Sequence, residues 1–152
     1  MAHQEQQPII IGVVGMTGVG KTTFIKTLTK DLNVAVGASL QEVHCSTMRY
    51  KSCEVTLVDT PGFDGIGRVD TEILLKLAAW LGSQRQQVKL AGLIYMHRIT
   101  DNQLGSFATE NIRPVRALVG ENNMRNAVLV TNRWEEIMVG IVDTLLYPYS
   151  PF

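Results

Sequence analysis

A glycine-rich run near the N-terminus has the residue types that bind phosphate groups. It fits the pattern G-x-x-x-x-G-K-[ST] without a mismatch and reads Gly15-Met16-Thr17-Gly18-Val19-Gly20-Lys21-Thr22. Glycines allow a tight turn that points successive backbone N–H groups at phosphate oxygens. A lysine at this place reaches the β- and γ-phosphates of a nucleotide, and the hydroxyl after it ligates Mg²⁺. The run therefore predicts a phosphate-binding loop, with Lys21 as a catalytic residue and Thr22 as a metal ligand.

The residues around this loop are predicted to contact the nucleotide. An apolar run precedes the loop and a helical pattern follows it, and the N-terminus of such a helix adds partial positive charge. A glycine-rich turn that only links a strand to a helix is the disfavoured alternative. The predicted nucleotide contacts in this region are Gly15, Thr17, Gly18, Val19, Gly20, Lys21, Thr22 and Thr23.

A carboxylate follows a second apolar run, where a phosphate-binding loop needs an acid for its metal. Residues 55–58 are apolar, and Asp59-Thr60-Pro61-Gly62 comes directly after them. This D-T-P-G sequence is a variant of the D-x-x-G element of GTPases. We therefore predict that Asp59 holds Mg²⁺ through water. The Gly62 N–H is predicted to act in catalysis by sensing the γ-phosphate.

The residue after Gly62 predicts slow hydrolysis. Phe63 stands where Ras-like proteins carry a glutamine that orients the attacking water, and an aromatic ring cannot orient water. Asp64 is polar but lies one place further along. A partner that supplies an arginine in trans would accelerate the reaction. His97 and Arg98 follow another apolar run, and for both of them surface charge or loop shaping is preferred over catalysis.

The segment that would recognise the base departs from the guanine-specific pattern. GTPases use an [NT]-K-x-D element after the strand that residues 127–130 fill here, and this chain has Thr131-Asn132-Arg133-Trp134. With Thr131 in the first place, the aspartate that pairs with guanine is absent, which predicts weak guanine selection. Asn132 is predicted to bond the base or the phosphate-binding loop. Trp134 either stacks on the base or packs in the core, and both readings stay open.

A first switch residue is expected between Thr22 and the strand near residue 43. Its hydroxyl would close on Mg²⁺. The candidates are Ser39, His44 and Thr47. Thr47 falls inside a predicted strand, so Ser39, in a glycine-flanked loop, is preferred. The alternative that none of the three touches the metal stays open.

Short apolar runs and helical patterns alternate along the chain. Residues 9–14, 55–58, 91–96 and 127–130 predict strands buried on both faces. A further strand over residues 43–48 is predicted to pair with residues 53–58 through a tight connection. Helical spacing is carried by Phe24, Leu28 and Leu32 and by Ile73, Leu77, Trp80 and Leu81, with Asp70 as the N-cap. The alternation predicts a three-layer α/β fold, with helices on both faces of a mostly parallel sheet.

The composition limits the other kinds of protein that this sequence could encode. The 152 residues suit one domain, and the 14 basic and 14 acidic side chains cancel, which disfavours nucleic-acid binding. No run reaches the ~18 apolar residues of a membrane span. The polar N-terminus lacks a signal sequence, so we expect a cytoplasmic protein. Cys45 and Cys53, at no metal-binding spacing, are predicted to be small core residues.

Four segments of the sequence resemble those of a known family. Residues 36–40, 55–64, 90–99 with Asp101, and 130–134 are similar to fungal G-domain proteins, which are related to the immunity-associated and septin-like GTPases. The resemblance extends over roughly residues 8–137. It implies a P-loop GTPase fold, binding of GTP or GDP with Mg²⁺, and a homodimer formed through the nucleotide face.

Three departures from the family follow from the same comparison. The segment between Leu40 and Asp59 is short, and His44 falls about where the family carries its switch threonine. The chain also ends early, so truncation is expected, with the last strand and helix missing. We accordingly predict a flexible N-terminus at residues 1–7, a G domain at 8–140 and an atypical short tail at 141–152.

The leading functional prediction is a GTP-binding P-loop protein that acts as a slow, Mg²⁺-dependent GTPase or nucleotide switch. A truncated module that binds nucleotide or a partner without hydrolysis is the alternative. An ATP-using P-loop enzyme is disfavoured because no arginine-rich lid segment is present in the sequence.

Overall fold

The computed structural model describes residues 9–31, 43–62, 68–84, 90–100, 116 and 119–136. Two 3₁₀ segments, Glu121–Asn126 and Trp134–Glu136, flank the strand Ala127–Asn132. The strands and α-helices in chain order are β1 (Ile9–Gly15), α1 (Lys21–Thr29), β2 (His44–Tyr50), β3 (Cys53–Asp59), α2 (Arg68–Ser83), β4 (Leu90–Arg98) and β5 (Ala127–Asn132). Within these ranges, no helix is long and apolar enough to cross a membrane.

The strands form one sheet in the order β2-β3-β1-β4-β5. Strands β3, β1, β4 and β5 run parallel, and only β2 is antiparallel to its neighbour β3. The mostly parallel sheet is therefore confirmed, and so is the extra strand. A two-residue turn joins β2 to β3, and its first residue, Lys51, has a positive φ of 55°.

The two faces of the sheet bury different helices. Val13, Val55 and Leu57 pack with Ile25 of α1, whereas Ile10 and Val58 pack with α2. Because successive residues of a strand point to opposite faces, α1 and α2 cover opposite sides of the sheet. Each fully buried side chain of this kind contributes about 1.5–3 kcal/mol by leaving water. The predicted three-layer arrangement is confirmed.

The apolar face of α1 differs from the predicted one. Ile25 is only 1% exposed, whereas Leu28 is 44% exposed. Helix α1 ends at Thr29, where Lys30 turns into the left-handed region and its N–H donates to the Lys26 carbonyl. Leu32 lies outside the described residues. The predicted stripe is confirmed at Phe24, which packs against the core beside Ile25, and was wrong at Leu28. The glycine-rich loop that precedes the helix orients the side of Ile25 toward the sheet.

Helix α2 matches its predicted spacing but not its predicted start. Ile73 and Leu77 are buried, and Trp80 and Leu81 pack beside them. The helix begins at Arg68, so Asp70 lies within it and the prediction of Asp70 as N-cap was wrong.

The remaining sequence predictions either disagree with the structure or fall on residues that it does not describe. Cys45 is exposed and Cys53 half-buried, so their assignment to the core was wrong. Between Arg98 and the 3₁₀ segment Glu121–Asn126, the described residues Arg116 and Val119 are helical. Residues 1–7 and the tail at 141–152 lie outside the described residues. The expected loss of a last strand and helix concerns the same undescribed part of the chain.

Candidate functional site

The glycine-rich loop connects the carboxyl end of β1 to the N-terminus of α1. Gly20, directly before the helix, has a φ of 95°, which side chains rarely adopt. At Gly15, a Cβ atom would collide with the Met96 carbonyl of β4. Val19 is 1% exposed and anchors the loop in the core. The loop therefore needs its glycines both for the turn and for its close approach to the sheet.

Lys21 lies under this loop rather than in solvent. It is only 6% exposed. Its Nζ donates to the carbonyl oxygens of Gly15, at 2.9 Å, and Met16, at 3.1 Å. The ammonium is thus held beside the loop whose N–H groups would face a phosphate. A phosphate oxygen placed there would accept charge-assisted hydrogen bonds from the same ammonium.

Thr22 and Asp59 meet across 37 residues of sequence. The Thr22 hydroxyl donates to Asp59 Oδ2 at 2.6 Å. Asp59 is 2% exposed, and its Oδ1 is buried with no hydrogen-bond partner among the described residues. Burial raises the pKa of the Asp59 carboxyl, and the Thr22 hydrogen bond, Lys21 and His44 oppose this rise.

These two side chains fit a magnesium ion. Mg²⁺ prefers oxygen ligands and keeps several of its waters. The hydroxyl of Thr22 is one such oxygen, and the unpartnered Oδ1 of Asp59 would accept from a metal-bound water. A divalent cation would also relieve the cost of burying a carboxylate there. The residues present could therefore hold the ion that the phosphate-binding loop requires.

The segment after Asp59 is pinned against the phosphate-binding loop. The hydroxyl of Thr60, fully buried, donates to the Val13 carbonyl of β1 at 2.9 Å. Two residues later, Gly62 packs so closely on Thr17 that a Cβ atom would lie 2.6 Å from the Thr17 nitrogen. The sequence reasoning missed the role of Thr60, although a hydroxyl directly after the strand's carboxylate was a signal. The contact with Thr17 brings Gly62 to the loop, as its predicted role requires.

Asn132 connects the end of β5 to the phosphate-binding loop. Its Nδ2 donates to the Val19 carbonyl at 2.6 Å, across 113 residues. Of its two predicted contacts, the base or the loop, the structure shows the loop. The contact favours Asn132 over Thr131 as the first residue of the predicted base-recognition element.

The contact changes which residue is counted as the first of the predicted base-recognition element. Counted from Asn132, the sequence reads N-R-W-E, and its fourth residue is Glu135. An exposed carboxylate therefore stands where the sequence comparison, which began at Thr131, found none. The predicted absence of the aspartate stands, because the fourth residue in this count is a glutamate. The run Thr131-Asn132 fits the first position in two ways, and only the count from Asn132 ends on a carboxylate.

Trp134 lies at the surface beside this element. It is 42% exposed, and its Nε1 donates to the Thr131 hydroxyl at 3.0 Å. Of the two open readings, core packing is therefore wrong. The N–H edge of the indole is held by this bond, while the side chain remains partly accessible at the carboxyl edge of the sheet.

The switch candidates differ in where they lie. Thr47 pairs with Thr56 on the opposite face of the sheet from Asp59, and their hydroxyls are 3.3 Å apart. His44 is exposed and directly opposite Asp59. Ser39 lies outside the described residues.

The remaining candidates for hydrolysis lie elsewhere at the same edge or are not described. His97 and Arg98 are the last residues of β4, and His97 Nε2 is buried without a hydrogen-bond partner in the described part of the chain. Phe63 and Asp64 lie outside the described residues. Because the four parallel strands end at one edge, the glycine-rich loop, Asp59 and Asn132 gather there, where open α/β sheets bind ligands.

Comparison with known proteins agrees with this arrangement. The model of the 50S ribosome-binding GTPase family matches residues 10–133. No curated protein sequence matches the chain.

Solved structures share the fold. Toc33 from Arabidopsis thaliana in complex with GDP and Mg²⁺ is 18% identical over 84% of this chain and 51% of that one, with a TM-score of 0.69. A dimerization-deficient mutant of Toc33 is 19% identical over 84% and 52%, also at 0.69. A structure from the chloroplast translocon components atToc33 and psToc159, whose dimerization is described as important for GTPase activity, is 17% identical over 91% and 57%, at 0.71. The chain thus spans about half the length of these structures.

Proposed function

This chain is a GTP-binding G domain that belongs to the 50S ribosome-binding GTPase family, and we propose that it acts in the cytoplasm as a slow, Mg²⁺-dependent GTPase or nucleotide switch. In this proposal Lys21 binds the β- and γ-phosphates. Thr22 and Asp59 hold Mg²⁺, and the Gly62 N–H responds to the γ-phosphate. The ion, when bound, neutralises charge that develops on the transferred phosphoryl group.

The hydrogen bond between Thr22 and Asp59 carries the proposal. It joins the first turn of α1 to the end of β3 at 2.6 Å, while Lys21 is held one residue away beneath the loop. A buried carboxylate with one unpartnered oxygen is costly unless a ligand or ion offsets the cost. This arrangement supports a site that is organised for a metal-bound nucleotide before either component binds.

A thermal-shift titration tests nucleotide binding. GTPγS, GDP and ATPγS are added with Mg²⁺ to the wild-type chain and to Lys21→Met, which keeps the buried hydrophobic stem of the lysine. A ligand at 100 times its Kd stabilises the folded state by about 2.7 kcal/mol. We expect guanine nucleotides to raise the melting temperature of the wild type but not of Lys21→Met. Lys26→Met, on the same helix and outside the loop, is the matched control and should respond like the wild type. No shift with any nucleotide would reject the proposal.

Single-turnover hydrolysis separates a GTPase from a module that only binds. Radiolabelled GTP is bound in excess protein, and phosphate release is followed with Mg²⁺ and with EDTA. Slow release that requires Mg²⁺ supports the GTPase. Bound GTP that stays intact supports the non-hydrolysing alternative, which shares the same binding site.

We further propose that Glu135 reads the guanine base while Trp134 stacks on it. Asn132 sets the register through its bond to Val19, and a charged hydrogen-bonded pair contributes about 1.5–3 kcal/mol, or roughly 10–150-fold in preference. Glu135→Gln should lower the preference for GTP over ATP by such a factor in competition binding. Glu54→Gln, exposed on β3, is the control. An unchanged preference would remove Glu135 from base recognition.

A homodimer through the nucleotide face is a separate proposal. The dimerization described for the Toc33 structures supports it, as does the exposed indole of Trp134 at the same edge. Light scattering should give twice the monomer mass with GTPγS and Mg²⁺, and Lys21→Met should stay monomeric. A monomeric wild type in every nucleotide state would contradict the dimer.

The narrower relationship to fungal, immunity-associated and septin-like GTPases is also proposed. It is supported by two blocks outside the phosphate-binding loop, Asp59-Thr60-Pro61-Gly62-Phe63-Asp64 and Tyr95-Met96-His97-Arg98-Ile99. A phylogeny of G domains aligned on these blocks would test it, and grouping with another branch would reject it.

A further inference from the structure

His44 lies directly opposite Asp59 in the antiparallel pair of β2 and β3. Side chains of directly opposed residues share one face of a sheet, with Cβ atoms about 4.5–5.5 Å apart. The face in question is known from Asp59 itself, whose carboxylate accepts from Thr22 of α1. The imidazole of His44 is therefore on the same side of the sheet as the candidate metal site.

The neighbours of His44 along β2 support this placement. Ser46 is buried on the same face, and its hydroxyl donates to Asp31, just beyond the end of α1, at 3.4 Å. Met48 packs against the core beneath that helix. His44 is one step nearer the carboxyl edge of β3, where the phosphate-binding loop lies. Because β2 is antiparallel, its first residue falls at this edge.

Three features bring His44 into the reach of a cation at Asp59. It is close enough to interact electrostatically with the Asp59 carboxylate. It is exposed, so its ring is free of the packing that holds Ser46. The Oδ1 oxygen of Asp59 is buried and has no hydrogen-bond partner among the described residues.

We propose that His44 is a nitrogen ligand of the divalent cation bound with nucleotide at Thr22 and Asp59. The inference rests on the proposed Mg²⁺–nucleotide site and adds a residue that departs from its all-oxygen chemistry. Carboxylate and hydroxyl oxygens suit Mg²⁺, whereas imidazole favours transition metals. A mixed set of this kind still accepts Mg²⁺ but binds Mn²⁺ or Co²⁺ more tightly than oxygen ligands alone would.

Pulsed electron paramagnetic resonance of the Mn²⁺–GDP complex tests the ligand directly. The full chain is loaded with Mn²⁺ and GDP, and echo modulation is recorded for coupling to ³¹P and to ¹⁴N. We expect both couplings in the wild type. His44→Gln should keep the ³¹P coupling, which shows an intact nucleotide site, and lose the imidazole ¹⁴N coupling. His97→Gln, a histidine at the same edge of the sheet, is the matched control and should keep both.

The outcomes distinguish this inference from the proposed function. Coupling to ³¹P without ¹⁴N in the wild type would overturn the inference and leave the nucleotide site standing. Coupling to ¹⁴N that persists in His44→Gln would also overturn it. Absence of ³¹P coupling in the wild type would reject the metal–nucleotide site and the inference with it.

Metal competition provides a second readout. Mn²⁺ and Mg²⁺ affinities of the GDP complex are measured for the wild type and His44→Gln. The preference for Mn²⁺ over Mg²⁺ should fall by at least about 10-fold in the variant. Loss of a group that only orients a metal ligand already lowers metal affinity by about 10-fold or more, and loss of the ligand itself should have at least that effect. An unchanged ratio would contradict a nitrogen ligand.

Discussion

Gly62→Ala is expected to separate the two loops that meet at the candidate nucleotide site. A Cβ atom at position 62 would overlap the Cα and Oγ1 atoms of Thr17 and lie 2.6 Å from its nitrogen. Two of these three atoms belong to the backbone, so no rotamer change at Thr17 relieves the overlap. The segment after β3 or the phosphate-binding loop has to move.

The size of the effect follows from these contacts. Ordinary van der Waals contact begins at 3.4 Å, so the distance to the Thr17 nitrogen falls short by 3.4 − 2.6, about 0.8 Å. Overpacking that forces a backbone shift costs about 1–3 kcal/mol. Neither loop is easily displaced, because Thr60 anchors one to β1 and Asn132 anchors the other to β5. In a domain of this size, each kcal/mol lowers the melting temperature by roughly 2–4 °C.

Thermal melts with and without nucleotide measure the change. We expect Gly62→Ala to melt lower than the wild type without ligand. It should also lose more of the stabilisation by GTPγS than of that by GDP, since the displaced N–H faces the γ-phosphate in the proposed site. Gly82→Ala is the matched control. A Cβ there meets nothing within 4 Å, and alanine in a helix is favoured by up to about 1 kcal/mol, so this variant should melt at or above the wild type.

Three results would each contradict a part of this reasoning. If Gly62→Ala melts like the wild type, the loops are not in contact as described. If adding Thr17→Gly restores full stability, the side chain of Thr17 rather than its backbone sets the clearance. An equal loss of GTPγS and GDP stabilisation would argue against a γ-phosphate role for Gly62.

Three further predictions concern other parts of the site. Asn132→Asp should lower the free energy of unfolding, measured by urea denaturation, by about 1–3 kcal/mol, and by more than Asn132→Ala does, because a carboxylate would face the Val19 carbonyl with no proton to donate. Equal losses would contradict this. Burial raises the pKa of Asp59 above its ordinary 3.8, so its contribution to stability is present below that pH and lost as pH rises through the raised pKa. Asp59→Asn should therefore melt higher than the wild type at neutral pH without metal and lose its response to Mg²⁺ with GDP, whereas a lower melting temperature would show that the charge is stabilising. The change in tryptophan fluorescence on GDP binding should vanish in Trp134→Phe and persist in Trp80→Phe, and the reverse pattern would place the base away from Trp134.

The sequence predicted the features of the fold that depend on neighbouring residues. Apolar runs bounded by turn residues predicted β1, β3, β4 and β5, because a strand buried on both faces reads as a continuous hydrophobic segment. For β5 the prediction of burial on both faces was wrong, since Val128 and Leu129 are exposed. The glycines at 15 and 20 predicted the tight loop, because positive φ and close backbone approach exclude side chains there. The spacing of Ile73 and Leu77 predicted the buried side of α2.

Local pattern was insufficient where the packing partner decides. Phe24, Leu28 and Leu32 have helical spacing, yet Ile25 is the buried apolar residue of α1 and Leu28 is exposed. The direction in which a helix leaves the preceding loop sets its buried face, and periodicity alone does not contain that direction. In the same way, Thr131 and Asn132 both satisfied the first position of the base-recognition element until the contact with Val19 separated them.

The sequence by itself determined the phosphate-binding loop, the acid at the end of β3 and the α/β class, because each of them depends on residues that are neighbours in the sequence. Tertiary structure alone decided which distant groups meet: Asn132 with Val19, Thr60 with Val13 and His44 with Asp59. The physical reason is that sheet order and strand register bring these residues together across tens of positions. Burial of the hydrophobic face and the geometry of the turn set the register of a strand pair, but the pattern of one strand does not say which strand lies beside it.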